Sequence, residues 1–291
     1  MADAIALSLR SPRDPFRIAT IALVRDTFRE AMARKIFWGL FGLSTAMVLF
    51  FLFLLKIDII EGATATISLL GFDKSKGTGD IQRLVCGVYG GIAAFLYSFG
   101  MFLAVFASAG LTPSLLEPGR IELLLSKPVG RVHLLLGRYL GNVLIVAANT
   151  TWLVLGVWLI FGWKTGIWSP QFLYTIPIAV FLFAVLLSVV VLVGVLWESA
   201  ALATMIAIAL MIVSPILAQT KMMVKLLSSE WSRQVWKTLY YVLPKAADLG
   251  KMTVDLVRGN SIESWMPVWS SALFGVVVLA LAIWIFVRRD F

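Results

Sequence analysis

The chain has 291 residues, of which 60% are apolar and only 14% charged, with a mean hydropathy of +0.93. A soluble domain needs about a quarter of its residues charged to cover its surface, so this composition excludes one. The net charge of +9 would suggest nucleic acid for a soluble chain. Here it reads as Lys and Arg gathered at helix ends beside anionic headgroups, with membrane lipids as partners and no nucleic acid.

Apolar runs long enough for a helix to cross a hydrocarbon core of about 30 Å recur along the chain, and they do not alternate as barrel strands would. The expected fold is all-α, a polytopic membrane protein with six transmembrane helices. Residues 1–35 are polar and basic, and within them Ile21, Val24, Phe28 and Met32 recur at helical spacing. That pattern predicts an amphipathic helix lying in the membrane interface. No cleavable signal peptide is expected, because the first long apolar run starts near Ile36 after seven basic residues.

Spans are predicted at about 36–55, 84–111, 139–162, 172–196, 200–218 and 266–287, so residues 36–291 form the membrane domain. Gly-rich turn chemistry marks Gly71–Asp80 between the first two. Gly87-x-x-x-Gly91 in the second is a close-packing pattern. Trp163 and Trp168 read as interface anchors. Pro215 is expected to kink the far end of the fifth span. In the polar segment 219–265, Val224, Leu227, Trp231, Val235 and Leu239 share a helical stripe, which predicts a helix on or dipping into the membrane surface. Basic residues divide almost evenly between the two sides; the basic N-terminus and Arg288-Arg289 favour cytosolic termini.

No residue pattern points to catalysis. A P-loop is absent from the sequence, and Gly71–Gly79 resembles one only faintly, with the wrong spacing. Neither His-Glu-x-x-His nor Gly-x-Ser-x-Gly occurs, and the single cysteine and histidine, Cys86 and His133, cannot build a disulfide or a metal site between them. The predicted spans carry no Asp, Glu or Arg at their centres, where a charge would be the default functional signal. Their polar candidates for a translocation path are Tyr97, Ser98, Asn149, Thr150 and Thr151; interhelical hydrogen bonding is the plainer role for them. Glu198 reads as a helix-end residue in contact with water. No catalytic, cofactor-binding or metal-binding residue is expected, and the driving energy is expected from another protein.

The most informative segment is Glu117-Pro118-Gly119-Arg120-Ile121-Glu122-Leu123-Leu124-Leu125-Ser126-Lys127-Pro128-Val129-Gly130-Arg131, followed by Leu134-Leu135-Leu136-Gly137-Arg138-Tyr139-Leu140-Gly141. It reads as a short helix stopped by Pro128, then a second short element leading into the third span. Leu123–Leu125 are too apolar for a free loop and need a cover, either the membrane or a partner's groove. The segment resembles the cytoplasmic stretch of ABC-2 type transporter permeases, Glu…Gly-Thr-Leu/Ile-Glu-x-Leu-Leu-Ser-x-Pro-x-x-Arg…Leu-Gly-Lys-x-Leu-Gly, with Arg120 in place of the usual Thr. Ser126-Lys127-Pro128 is similar to the NosY-like branch, often associated with multicopper enzyme maturation.

That resemblance extends over most of the chain and implies a non-catalytic permease subunit. It would work with a separate ABC ATP-binding subunit, which binds the ATP and Mg, and with a second permease copy, identical or paralogous. It also implies the inner (cytoplasmic) cell membrane of a prokaryote, with both termini cytoplasmic. By the resemblance the N-terminal helix is an elbow helix and residues 112–138 contain a coupling helix. The coupling residues would be Glu117, Gly119, Glu122, Leu123, Leu124, Ser126, Lys127, Pro128 and Arg131. Two alternatives stand beside it: an integral subunit or enzyme of a larger membrane complex not driven by ATP, and a channel or secondary carrier acting alone.

Overall fold

A computed structural model of the chain describes residues 29, 32, 35–54, 78–108, 130–166, 168–219, 223 and 229–289. Among these residues there are helices and no strands. In chain order the helices are α1 (Lys35–Leu54), α2 (Thr78–Ser108), α3 (Arg131–Thr165), a 3-10 turn (Pro170–Tyr174), α4 (Thr175–Trp197), α5 (Ala200–Ala218), α6 (Glu230–Val242), α7 (Ala246–Val257) and α8 (Met266–Arg288). Among the described residues, five stretches are long and apolar enough to cross a membrane: Cys86–Ser108, Arg131–Lys164, Pro170–Trp197, Ala200–Ala218 and Met266–Arg288. The apolar stretch of α1, Phe37–Phe53, is shorter.

Helix α4 is the centre of the bundle. Its sequence carries no charged residue and is apolar on every side, the pattern of a helix surrounded by other helices. Leu182, Phe183, Leu186, Leu187, Val190 and Val195 are fully buried. Its most extensive packing is with α8, followed by α5 and α3. A second core gathers near the far end of α3, where Tyr89 packs its ring 5.1 Å from both Phe161 and Phe172.

The contacts fix the helix directions. Ser44 meets Asn149, and Phe51 meets Phe161, so α1 and α3 run parallel. Tyr139 reaches Ala184 while Phe161 lies near Phe172 in the core, so α4 returns antiparallel. Lys35, Ser108, Arg131, Trp197 and Arg289 therefore share one end of the bundle, and Leu54, Lys164 and Met266 lie toward the other. Turn chemistry at the ends is local. Gly166 closes α3 at φ 70°, its N–H donating to Gly162 O at 3.0 Å, the left-handed C-terminal cap that glycine adopts without strain. Ser199 starts α5 by accepting from the Leu202 N–H at 3.3 Å.

Two expectations are corrected. The third span is not preceded by a separate short element: α3 is one helix from Arg131, since no proline interrupts Arg131–Tyr139 and the ladder of hydrogen bonds continues. The segment 219–265 is more than one surface helix. It holds α6, which buries no residue, and then α7, which buries Ala246, Leu249, Thr253 and Val257 on one stripe. That stripe packs chiefly against α2. Helix α5 carries Pro215 inside its last turn and ends at Ala218, where the predicted span ends.

Candidate functional site

The end of the bundle that carries Arg131 is tied together by two arginines. The Arg131 guanidinium donates to Arg289 O at 2.6 Å and to Val287 O at 3.3 Å. These are carbonyls at the C-terminus of α8, which the helix itself cannot pair. The Arg289 guanidinium in turn donates to Val195 O and to the Glu198 carboxylate, in the corner between α4 and α5. Glu198 sits at φ 52°, the left-handed region, as the C-cap of α4. The start of α3, the last turn of α8 and the α4–α5 corner thus form one linked cluster.

Toward the other end, the start of α7 is held by polar groups from three long helices. This helix has no side-chain cap of its own, so its first N–H groups need outside acceptors. Ser271 Oγ on α8 accepts from Lys245 N at 3.0 Å, and Ser214 Oγ on α5 accepts from Ala247 N at 2.9 Å. The Tyr97 hydroxyl on α2 donates to Ala246 O at 2.7 Å. Gly250 lets the Tyr97 ring pass: a Cβ at that position would meet Tyr97 Cε1 at 2.8 Å. The Lys245 ammonium, in the connection outside the five spans, donates to Ser270 Oγ at 3.1 Å and lies 4.5 Å from the Tyr240 ring centre. Burial lowers its pKa from the ordinary lysine value, against the opposing attraction of Asp248.

Between these two ends, α1, α2, α3 and α4 enclose a cavity of about 70 Å³. Its lining is apolar apart from Ser44, Asn149, Thr150 and Thr175, and none of its lining residues is charged. Asn149 Nδ2 donates to Ser44 Oγ at 3.0 Å. Asn149 Oδ1 and Thr175 Oγ1 are buried without a hydrogen-bond partner among the described residues.

The sequence model for ABC-2 family transporter proteins matches residues 21–291. The chain belongs to this family. Among curated proteins, no relative matched it. It is therefore a component of a membrane transporter, and members of this ABC-2 family are generally not catalytic. Among the described residues of this family member, no group of His, Cys, Asp or Glu is placed to hold a metal ion.

The sequence-predicted residues of this ABC-2 family protein separate into three groups. Glu117, Gly119, Glu122, Leu123, Leu124, Ser126, Lys127 and Pro128, with the predicted coupling helix, lie outside the described residues, as do residues 1–28, 30, 31, 33 and 34 of the predicted elbow region, most of the Gly71–Asp80 turn, and Val224 and Leu227 of the predicted surface stripe. Arg131 is described, and it binds the C-terminus of α8. Of the membrane-embedded candidates, Asn149 and Thr150 line the cavity; Tyr97 is buried and serves α7; Ser98 is exposed and Thr151 half-buried away from the cavity. Sequence reasoning missed Ser44, Thr175, Ser214, Ser271 and Lys245. Single hydroxyls inside apolar helices carry no spacing signal, because their partners lie on other helices.

Proposed function

We propose that this protein is the permease subunit of an ABC transporter, crossing the cell membrane six times, with α1 as the first crossing. Its energy comes from a separate ATP-binding subunit seated on the segment around Glu117–Pro128. A second permease copy, identical or paralogous, completes the substrate path, to which Tyr97, Ser98, Asn149, Thr150 and Thr151 contribute. ATP and Mg belong to the partner subunit. Both termini face the cytoplasm of a prokaryotic cell, the N-terminal 35 residues supply the elbow helix, and the NosY-like form of Ser126-Lys127-Pro128 supports a role beside a multicopper enzyme assembly.

The observation that carries this reading is the position of Arg131. The helix that follows the leucine-bearing segment begins at Arg131, and Arg131 grips the last turn of α8, whose Arg289 grips the α4–α5 corner. A push delivered to residues 117–129 has a polar connection to three long helices at once. Such linked rigid elements are what a switch between two packings requires. Membrane permeases of this kind do no chemistry; the protein's part is to convert movement at one end into a rearrangement of helices.

The test is co-purification. The wild-type chain brings down an ATP-binding protein, and the double substitution Glu122→Gln with Leu124→Ala abolishes that capture or uncouples ATP hydrolysis from transport. Capture and transport both unchanged in the double variant would overturn the reading. Labelling that placed His133 on the external face would also overturn it.

A further inference from the structure

We propose that the cavity between α1, α2, α3 and α4 is a binding site for a neutral, hydroxyl-bearing hydrophobic molecule that enters sideways from the bilayer. The proposal rests on the cavity's own geometry and holds whether or not the cavity belongs to the transport path.

The first observation is two stranded polar atoms. Asn149 is 91% buried and Thr175 is 99% buried, both line the cavity, and neither Asn149 Oδ1 nor Thr175 Oγ1 has a partner among the described residues. Leaving a buried polar atom unpaired is costly, so an occupant that pairs them is favoured. The carboxamide's other end is already fixed, because Nδ2 donates to Ser44 Oγ. What is left at Oδ1 is an acceptor, and it calls for an O–H or N–H donor. Thr175 Oγ1 can then either accept from the ligand or donate to it.

The second observation is the rest of the lining. With no charged residue present, an ionised headgroup would enter uncompensated at high cost. A neutral molecule is therefore selected. The ester region of a diacyl phospholipid offers acceptors only and cannot satisfy Asn149 Oδ1. A single alcohol or phenol hydroxyl on an apolar body can satisfy it.

The third observation is access. Leu43, Phe95 and Phe99 line the cavity and are each 46% exposed on the outside of the bundle. Asn149 and Ser44 lie near the middles of α3 and α1, so this opening faces the hydrocarbon. Entry from the bilayer interior again selects an apolar body. A cavity of about 70 Å³ has room for several water molecules or for a hydroxyl with its first few carbons, leaving the rest of the chain between Phe95 and Leu43.

The experiment uses the full chain in lipid nanodiscs and a matched pair of photoreactive probes: a diazirine-bearing long-chain alcohol and its methyl ether, which lacks only the donor. The expected result is labelling of peptides containing residues 95–104 and 146–154 by the alcohol at least tenfold above the ether. Asn149→Leu and, separately, the near-isosteric Thr175→Val should each bring the alcohol down to the ether's level. Thr175→Val leaves the Ser44–Asn149 bond untouched, so it reports on the site even where Asn149→Leu disturbs folding. Equal labelling by the two probes would overturn the proposal by reducing the cavity to an unselective apolar crevice. Labelling by neither above the lipid background would overturn it too, and would leave water as the partner of Asn149.

Discussion

Arg131, the first residue of α3, donates to the main-chain oxygen of Arg289 at 2.6 Å across 158 positions of sequence. The same guanidinium reaches Val287 O at 3.3 Å. Both bonds leave the same terminal nitrogen, Nη1, whose two N–H groups diverge toward the splayed carbonyls of the helix C-terminus, and the positive charge also complements the negative end of the helix dipole.

Arg131→Gln removes the charge and the Nη1 donor together. The expected loss is about 1 kcal/mol, the low end for a charged hydrogen bond because part of the contact is exposed to water. That corresponds to a fall in melting temperature of about 2–4 °C for a chain of this size. Arg131→Lys should fall between the two, since it keeps the charge but its shorter side chain reaches the pair of carbonyls less well. Thermal unfolding of the three purified proteins in one detergent measures this, and identical midpoints would show that the tie contributes nothing to stability.

Much of the helical plan is legible in the sequence because lipid enforces it. A chain in hydrocarbon must pair every backbone group within a helix, so long apolar runs report α2, α3, α4, α5 and α8 directly. The bounds of Ala200–Ala218 coincide with those predicted, those of α4 and α8 shift by one to three residues, and α2 and α3 begin six and eight residues earlier than predicted. In the sequence the first eight residues of α3 look like a separate element because basic residues and glycine dilute their hydropathy, although the backbone ladder runs through them. Helix α7 was invisible for another reason. Its stripe of Ala246, Leu249, Thr253 and Val257 contains only two apolar side chains larger than alanine, and its hydrogen-bond partners are Tyr97, Ser214 and Ser271, scattered over the chain. Tyr97 stands out in the sequence as a polar residue in a span, yet nothing near it in sequence names Ala246 as its partner.

The hydroxyls that cap α7 make a sharper test of that helix. Ser214→Ala and Ser271→Ala each strand a backbone N–H at the first turn, at Ala247 and Lys245 respectively. Losing such a cap costs about 0.5–2 kcal/mol. The loss should be local, because α7 can open without unfolding α4. Hydrogen exchange of amides in 246–257 is expected to speed up by roughly threefold to thirtyfold in either variant, with amides of 182–190 unchanged. Unaltered exchange in 246–257 would mean that water replaces the serines at no cost.

Gly250 and Tyr97 should behave as a coupled pair. In Gly250→Ala the new Cβ lies 2.8 Å from the ring, and forcing a methyl into a packed contact typically costs about 1–3 kcal/mol. Shortening the ring by Tyr97→Leu loses the hydrogen bond to Ala246 O but clears the space. The double variant is therefore expected to be less destabilised than the sum of the two single changes, by about 1 kcal/mol or more. Strict additivity in the thermal midpoints would show that α7 simply shifts away from α2 when the alanine is introduced.

Glu198 sets two effects against each other, and salt separates them. Its φ of 52° is a left-handed conformation that costs a non-glycine residue about 1 kcal/mol, while its carboxylate receives the Arg289 guanidinium. The carboxylate side is half exposed, so the pair contributes at most about 1 kcal/mol and is screened by salt. Glu198→Gln keeps the strain and weakens the pair; Glu198→Gly releases the strain and loses the pair. At low ionic strength the expected order of stability is wild type and Gly about equal, with Gln lower. At about 1 M salt, where the screening length falls to about 3 Å, wild type should drop to the level of Gln and leave Gly the most stable of the three. An order that did not change with salt would mean that the backbone geometry, and not the ion pair, fixes the α4–α5 corner against Arg289.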